Sequence, residues 1–223
     1  MLEASGICKS YGKRRIIEQA ELFAKEGTCV GIVGANGCGK TTFLSILAGA
    51  RRADGGSIRI DGEEALGHPA VFASKVAYVP QENPLMEELT VRDNLLLWHK
   101  GSKKQMKEDL ETGSAALLGI PDMLDMRAGK LSGGMKKRLS IACALSGRAP
   151  VLIMDEPGAA LDLECKESIR RYLEGYVKAG GTVILTSHEM EELSLCQRLY
   201  VMKDRRLLEI PTGLSSKELI DSF

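Results

Sequence analysis

The run Gly34-Ala-Asn-Gly-Cys-Gly-Lys40-Thr41-Thr42 follows directly on the apolar stretch Cys29-Val-Gly-Ile-Val33 and leads into Phe-Leu-Ser-Ile-Leu-Ala48. Few patterns constrain a chain more. The spacing G-x-x-x-x-G-K-[ST] calls for a strand, a tight loop and a helix in that order. Glycines let backbone N–H groups curl around an anion, and the helix aims its positive dipole end at the same point. The lysine adds a point charge and the hydroxyl at Thr41 can ligate magnesium, so the run predicts a bound nucleotide polyphosphate. Gly49 reads as the stop of that helix, with Arg51 and Arg52 near its negative end. A glycine-rich turn that binds nothing has no need of Lys-Thr-Thr in this register.

The same alternation recurs along the chain. β-rich runs at Cys29–Val33, residues 76–80, Val151–Asp155 and Thr182–Thr186 are separated by helical patterns, as in a parallel sheet flanked by helices. Val151-Leu-Ile-Met154 is continuously apolar, as a strand buried on both faces must be, and Pro150 before it needs no ladder donor. The next helix carries Leu161, Cys165, Ile169, Leu173 and Tyr176 at spacings of three and four and stops at Gly180-Gly181, a core-packing stripe. Between about residues 83 and 147 the pattern turns helical. One helix is predicted over residues 90–100, capped by Thr90 and Asp93. Another is predicted over about 106–118, and a third opens at Ser132 and buries Met135, Leu139 and Ala142. The expectation is a single α/β domain over residues 1–223: a core of 1–82 and 148–223 and an inserted α-helical subdomain of about 83–147.

Composition excludes several function classes. Lys plus Arg and Asp plus Glu both number 30, so the formal net charge is zero and no nucleic-acid partner is expected from bulk charge. No apolar run approaches the roughly 20 residues that span a bilayer, and Met1-Leu-Glu-Ala-Ser-Gly has no signal core, so the cytoplasm is the expected compartment. The six cysteines form no C-x-x-C pair, which suits reduced thiols.

Two further motifs carry chemistry. Asp155 ends the Val-Leu-Ile-Met strand and Glu156 follows it; ligands of open parallel sheets sit beyond the carboxyl ends of strands, so both acids should face the loop. A carboxylate at the first position can hold hydrated magnesium, and one at the second can accept a proton from an attacking water. Leu131-Ser-Gly-Gly134 opens a helix with a hydroxyl and glycine amides, a second anion-binding geometry that also makes an ordinary N-cap.

In this order the motifs resemble those of the ATP-binding cassette (ABC) ATPases over nearly the whole chain, which implies an α/β P-loop NTPase core with a parallel sheet flanked by helices, an N-terminal antiparallel β subdomain and an inserted α-helical subdomain. By that resemblance Tyr11 stacks on adenine, and Gly34, Ala35, Asn36, Gly37, Cys38, Gly39, Lys40, Thr41 and Thr42 form the Walker A loop around ATP. Gln81 is the Q-loop glutamine, which contacts Mg²⁺ and the lytic water. Residues 131–135 are the signature, residues 151–156 the Walker B strand, Ala160-Leu-Asp162 the D-loop, and Thr186-Ser-His188-Glu the H-loop. The resemblance implies Glu156 as general base, His188 on the γ-phosphate, and Mg²⁺ held by Thr41, Gln81 and Asp155. It also implies that Ser132, Gly133 and Gly134 reach in trans to the nucleotide of a second ATP-binding subunit, either an identical chain or a paralogue. His68 and His99 belong to no such pattern.

Three positions depart from the family pattern: Met135 where glutamine is usual, Ala159 where serine is usual, and Cys38 inside the loop. A helix dipole can lower a thiol pKa there, although a small tolerated side chain is the simpler reading. The signature wording Leu-Ser-Gly-Gly-Met-Lys-Lys-Arg-Leu resembles exporter ATPases more than importers. The implied function is an ATPase powering a membrane transporter, peripheral on the cytoplasmic face, with an integral-membrane permease docking near residues 81–89 and Trp98 either in that groove or in the helical core. The alternative is a soluble single-cassette ATPase acting with a cytosolic assembly, for example for iron–sulfur clusters. A long coiled coil is excluded because no heptads are sustained between Thr41 and Ser132.

Overall fold

The computed structural model describes residues 1–99, 101–147, 149–159 and 161–223. The chain begins with strands β1 (Leu2–Tyr11), β2 (Arg14–Ala24) and β3 (Cys29–Val33), the glycine loop and helix α1 (Lys40–Leu47). Then come β4 (Gly55–Ile60), β5 (Glu63–Glu64), α2 (Pro69–Lys75) and β6 (Val76–Val79). Helices α3 (Val91–Trp98), α4 (Lys103–Thr112), α5 (Ser114–Leu117) and α6 (Gly133–Leu145) follow. The remainder is β7 (Val151–Asp155), α7 (Leu163–Lys178), β8 (Thr182–Thr186), α8 (Met190–Leu193), β9 (Arg198–Lys203), β10 (Arg206–Ile210) and α9 (Ser216–Asp221).

Six strands make one sheet in the order β10-β9-β3-β8-β7-β6, parallel except for the β9–β10 hairpin at its edge. Strands β2-β1-β4-β5 make a separate antiparallel sheet, the N-terminal β unit expected from the sequence. Every residue of β3, β7 and β8 is buried, which is why these segments read as unbroken apolar runs. Their side chains alternate between two cores. Val30, Ile32, Val151, Ile153 and Ile184 face α1 and the N-terminal sheet, while Val33, Leu152, Met154, Val183 and Leu185 face the core shared with α3, α6 and α7. Helix α1 buries Phe43, Leu44, Ile46 and Leu47 completely between the two sheets, at roughly 1.5–3 kcal/mol for each such side chain. The loop that precedes it is thereby fixed to the most buried part of the molecule.

Several boundaries differ from the sequence reading. Strand β6 stops at Val79, since Pro80 has no N–H to continue a ladder. The helix expected over 106–118 is two helices broken at Gly113, which takes an extended conformation while Asp109 packs where a side chain at 113 would stand. The Asp109 carboxylate then accepts a hydrogen bond from the Ser114 hydroxyl (3.0 Å). The capping box at Thr90 and Asp93 starts α3 as expected, but α3 ends at Trp98, and Lys100 lies outside the described residues. On α6 the burial extends beyond the expected stripe: Leu139 and Ala142 are buried and Met135 is half-buried, yet Lys137, Ser140 and Ile141 are buried too.

Candidate active site

Sheet register alone gathers most of the predicted residues. Val79 pairs with Met154, and Asp155 with Thr186, so Gln81, Glu156 and His188 leave the carboxyl ends of adjacent strands side by side. Ile32 pairs with Thr186 on the other side, which places the glycine loop next in line. The side chains meet: Gln81 Nε2 donates to Glu156 Oε2 at 3.0 Å, and His188 Nε2 lies 3.7 Å from Glu156 Oε1. A cavity of about 400 Å³ is lined by Lys40, Thr41, Thr42, Gln81, Glu156 and Tyr11, with Asn36, Gly37, Gly39, Arg14 and Ile16 completing it. Gly34, Ala35 and Cys38 do not line it. Gly34 shapes the turn instead, and the Cys38 side chain packs against the apolar cluster around α1.

The loop needs its glycines for measurable reasons. Gly34 and Gly39 have φ of 146° and 118°, outside the range of L side chains, and a Cβ at Gly34 would stand 2.6 Å from the Met202 carbonyl oxygen. Lys40 is buried and curls over the loop, Nζ donating to the carbonyls of Gly34 (2.7 Å) and Ala35 (3.2 Å). Among the described residues no side chain caps the start of α1, and no acid stands in its first turn, so its amides and dipole are left for an anion. Tyr11, 43% exposed, stands at the rim with Arg51 5.3 Å and Lys9 5.8 Å from its ring centre.

The carboxylates divide by environment. Asp155 is 1% exposed; its Oδ1 accepts from the Thr186 hydroxyl at 2.5 Å, while Oδ2 is buried without a hydrogen-bond partner among the described residues. An orphaned buried carboxylate oxygen is costly unless a cation or its water satisfies it. With the exposed Thr41 hydroxyl in the cavity, this oxygen donor set fits a hard divalent ion such as Mg²⁺. Glu156 by contrast stands partly open on a strained turn, φ 48°, held by its N–H donating to the carbonyl (3.2 Å) and hydroxyl (3.0 Å) of Thr186. Thr186 thus ties both acids to β8.

The remaining predicted residues lie elsewhere. Ser132 caps α6, its hydroxyl accepting the Met135 N–H at 3.3 Å, and none of Ser132, Gly133 or Gly134 lines the cavity that holds Lys40. Asp162 caps α7, accepting the Cys165 N–H at 2.8 Å; Ala160 lies outside the described residues. Sequence reasoning missed Arg14 and Ile16, which the Tyr11–Arg14 hairpin brings to the rim. The signal was present in Lys13-Arg14-Arg15 beside Tyr11. It also missed Lys137, buried in α6 with Nζ donating to the carbonyls of Pro80 (3.0 Å) and Gln81 (3.3 Å). Burial pulls the Lys137 pKa down, and the charges of Asp155, Glu156 and Glu192 push it back up.

A family model described as ABC transporter matches residues 17–159. The chain belongs to that family. Among relatives of this cassette, Nod factor export ATP-binding protein I of Paraburkholderia xenovorans (strain LB400) is 35% identical, covering 98% of this chain and 73% of its own length. Linearmycin resistance ATP-binding protein LnrL of Bacillus subtilis (strain 168) is 34% identical, covering 95% of this chain and 69% of that protein. A dimeric post-hydrolysis state of the ATP-binding cassette MJ0796 bound to ADP and Pi superposes with TM-score 0.85 at 25% identity, covering 96% of this chain and 100% of that one. The ATP-binding subunit of an ABC transporter superposes with TM-score 0.90 at 23% identity, covering 100% and 98%, which establishes the cassette fold. The chain is an ABC ATPase that binds ATP. Among the described residues no helix is long and apolar enough to cross a membrane.

Proposed function

We propose that this cassette pairs head-to-tail with a second ATP-binding subunit on two Mg-ATP molecules and powers a membrane exporter. The observation that carries the pairing is the separation within one chain: Lys40, Gln81 and Glu156 line one cavity, and Ser132, Gly133 and Gly134 stand apart from it. In the paired state the hydroxyl and amides at the start of α6 reach the γ-phosphate held by the partner. Lys40 and the amides of residues 34–42 bind the phosphates, and Glu156, steadied by Gln81, orients the attacking water and takes its proton. Thr41, Asp155 and Gln81 would hold Mg²⁺, which supplies charge neutralisation on the phosphates when bound. His188, whose Nε2 lies 3.7 Å from Glu156 Oε1, would donate to the γ-phosphate.

A permease fits a groove of about 430 Å³ lined by Phe72, Tyr78, Pro80, Pro84, Trp98 and Cys143, between the core and residues 83–147, the proposed helical subdomain. Trp98 is 47% exposed there rather than buried in the helical core, and Met86, Leu96 and Leu97 are exposed close by in sequence. Exposed apolar groups in such density mark an interaction surface. Export rather than import follows from the Leu-Ser-Gly-Gly-Met-Lys-Lys-Arg-Leu wording and from relatives named for export and resistance. The protein would then sit on the cytoplasmic face through its permease. Affinity purification of the full chain from solubilised membranes is expected to recover a stoichiometric integral-membrane partner. Recovery with a soluble partner alone would overturn the transporter reading in favour of a cytosolic assembly ATPase.

A further inference from the structure

Gln81 reaches Glu156 with its side chain, but its main chain is held from the opposite direction. The backbone leaves β6 after Val79, and the next two carbonyls, of Pro80 and Gln81, are both taken by Lys137 Nζ at 3.0 and 3.3 Å. Two more side chains from the helical region grip the same segment. Asn94, fully buried on α3, donates to and accepts from the Met86 backbone at 3.0 and 2.9 Å, and Lys136 on α6 pairs with Glu87 at 2.5 Å. The segment therefore rides on α3 and α6. Lys137 is 4% exposed, and a buried ammonium without acceptors is expensive, so its hold on the two carbonyls persists wherever α6 goes. Ser132, at the start of the same helix, is joined to Lys137 by little more than one rigid turn.

We infer that Lys137 is a positioning residue: it sets the Gln81 backbone, and through it the amide that touches Glu156, according to the position of α6. Displacement of the α6 start by a partner's nucleotide is thereby delivered to the hydrolytic carboxylate without passing through the sheet. The inference rests on the reading of Gln81 and Glu156 as the hydrolytic pair. It assigns Lys137 no contact with ATP.

The test is steady-state ATP hydrolysis by the full chain, with nucleotide affinity measured separately. Lys137→Met, which keeps the packing volume and removes the donor, is expected to lower kcat about tenfold or more through misplacement of Gln81, with KM and ATP affinity within about twofold. Lys137→Arg, which keeps charge and donors, should restore most of kcat. In a Gln81→Ala background Lys137→Met should add less than about twofold, because both changes act on one contact. Lys137→Met retaining full kcat, failure of arginine to rescue, or a penalty carried undiminished into the Gln81→Ala background would each overturn the inference. If Lys137→Met does not fold, Lys137→Leu, which likewise removes the donor, is held to the same criteria. Full turnover in Glu156→Gln would remove the hydrolytic reading itself, independently of any Lys137 result.

Discussion

Two helices of this molecule begin with the same physics and end in different situations. Helix α1 opens after Gly39 and helix α6 after Ser132, each offering glycine-flanked amides at a positive dipole end. Around the start of α1 the chain supplies everything else: Lys40 over the loop carbonyls, Gln81 and Glu156 across the cavity, Tyr11 at the rim. At the start of α6 it supplies little. Among the described residues a Cβ on Gly133 would meet nothing within 4 Å, and one on Gly134 would meet only Asp162 and Leu161 at 3.7 Å. An anion site with a complete surround can bind on its own; one facing open space is, on the proposed pairing, half of an interface.

The largest effect should come from the complete side. Glu156→Gln keeps the shape and the Gln81 contact but removes the proton acceptor, so turnover should fall by about 10²–10⁴-fold while ATP still binds. A single-turnover assay beside a binding titration checks this, and wild-type turnover would remove Glu156 as the base. The open side gives a sharper contrast. Gly133→Asp places an acid in the first turn of α6, where there is space and where the dipole favours it by about 0.3–1 kcal/mol, so the folded chain should lose no stability. Turnover should nevertheless fall about a hundredfold or more, since the new charge stands where a partner's phosphates must come. Unchanged turnover in this variant would erase the distinction between the two helix starts.

The asymmetry also decides what could be read from the sequence. The loop, the Walker B strand and the capping box at Thr90 are local patterns, and the elements they start or shape are where the residues imply. The convergence of Gln81, Glu156 and His188 required strand register, which a parallel sheet fixes once its order is known. Lys137 was not legible. In Met-Lys-Lys-Arg it reads as one more solvated cation, and only the turn of Pro80 and Gln81 over α6 gives a buried ammonium its acceptors. Cys38 agrees with its simpler reading, a small side chain tolerated in the loop, since it turns toward the apolar cluster around α1. The break at Gly113 depended on Asp109 packing back on the chain, a contact that periodicity does not encode.

Lys40→Ala tests whether the two starts differ in binding as well as in turnover. Loss of a charged donor is worth about 1.5–3 kcal/mol, so ATP affinity of the single chain should drop about 10- to 150-fold by calorimetric titration. Gly133→Asp should leave the same affinity within about twofold of wild type. Equal losses from the two variants would mean that the start of α6 contributes to nucleotide binding within one chain, contrary to the separation seen here.

The smallest effect concerns the rim, where base and phosphate recognition can be told apart. Lys9 and Arg51 both stand over the Tyr11 ring, so it can act on a nucleotide either by stacking on the base or by steering Arg51 toward the loop. Stacking is worth about 0.5–1.5 kcal/mol, and Tyr11→Phe keeps it while Tyr11→Ala removes it. Tyr11→Ala should therefore weaken ATP about 2- to 10-fold and leave the affinity for inorganic tripolyphosphate unchanged, with Tyr11→Phe close to wild type for both. If tripolyphosphate binding falls in parallel, the ring acts through Arg51 and the loop. The complete side of the comparison would then recognise phosphate alone, and selection of the base would have to come from Arg14, Ile16 or the partner chain.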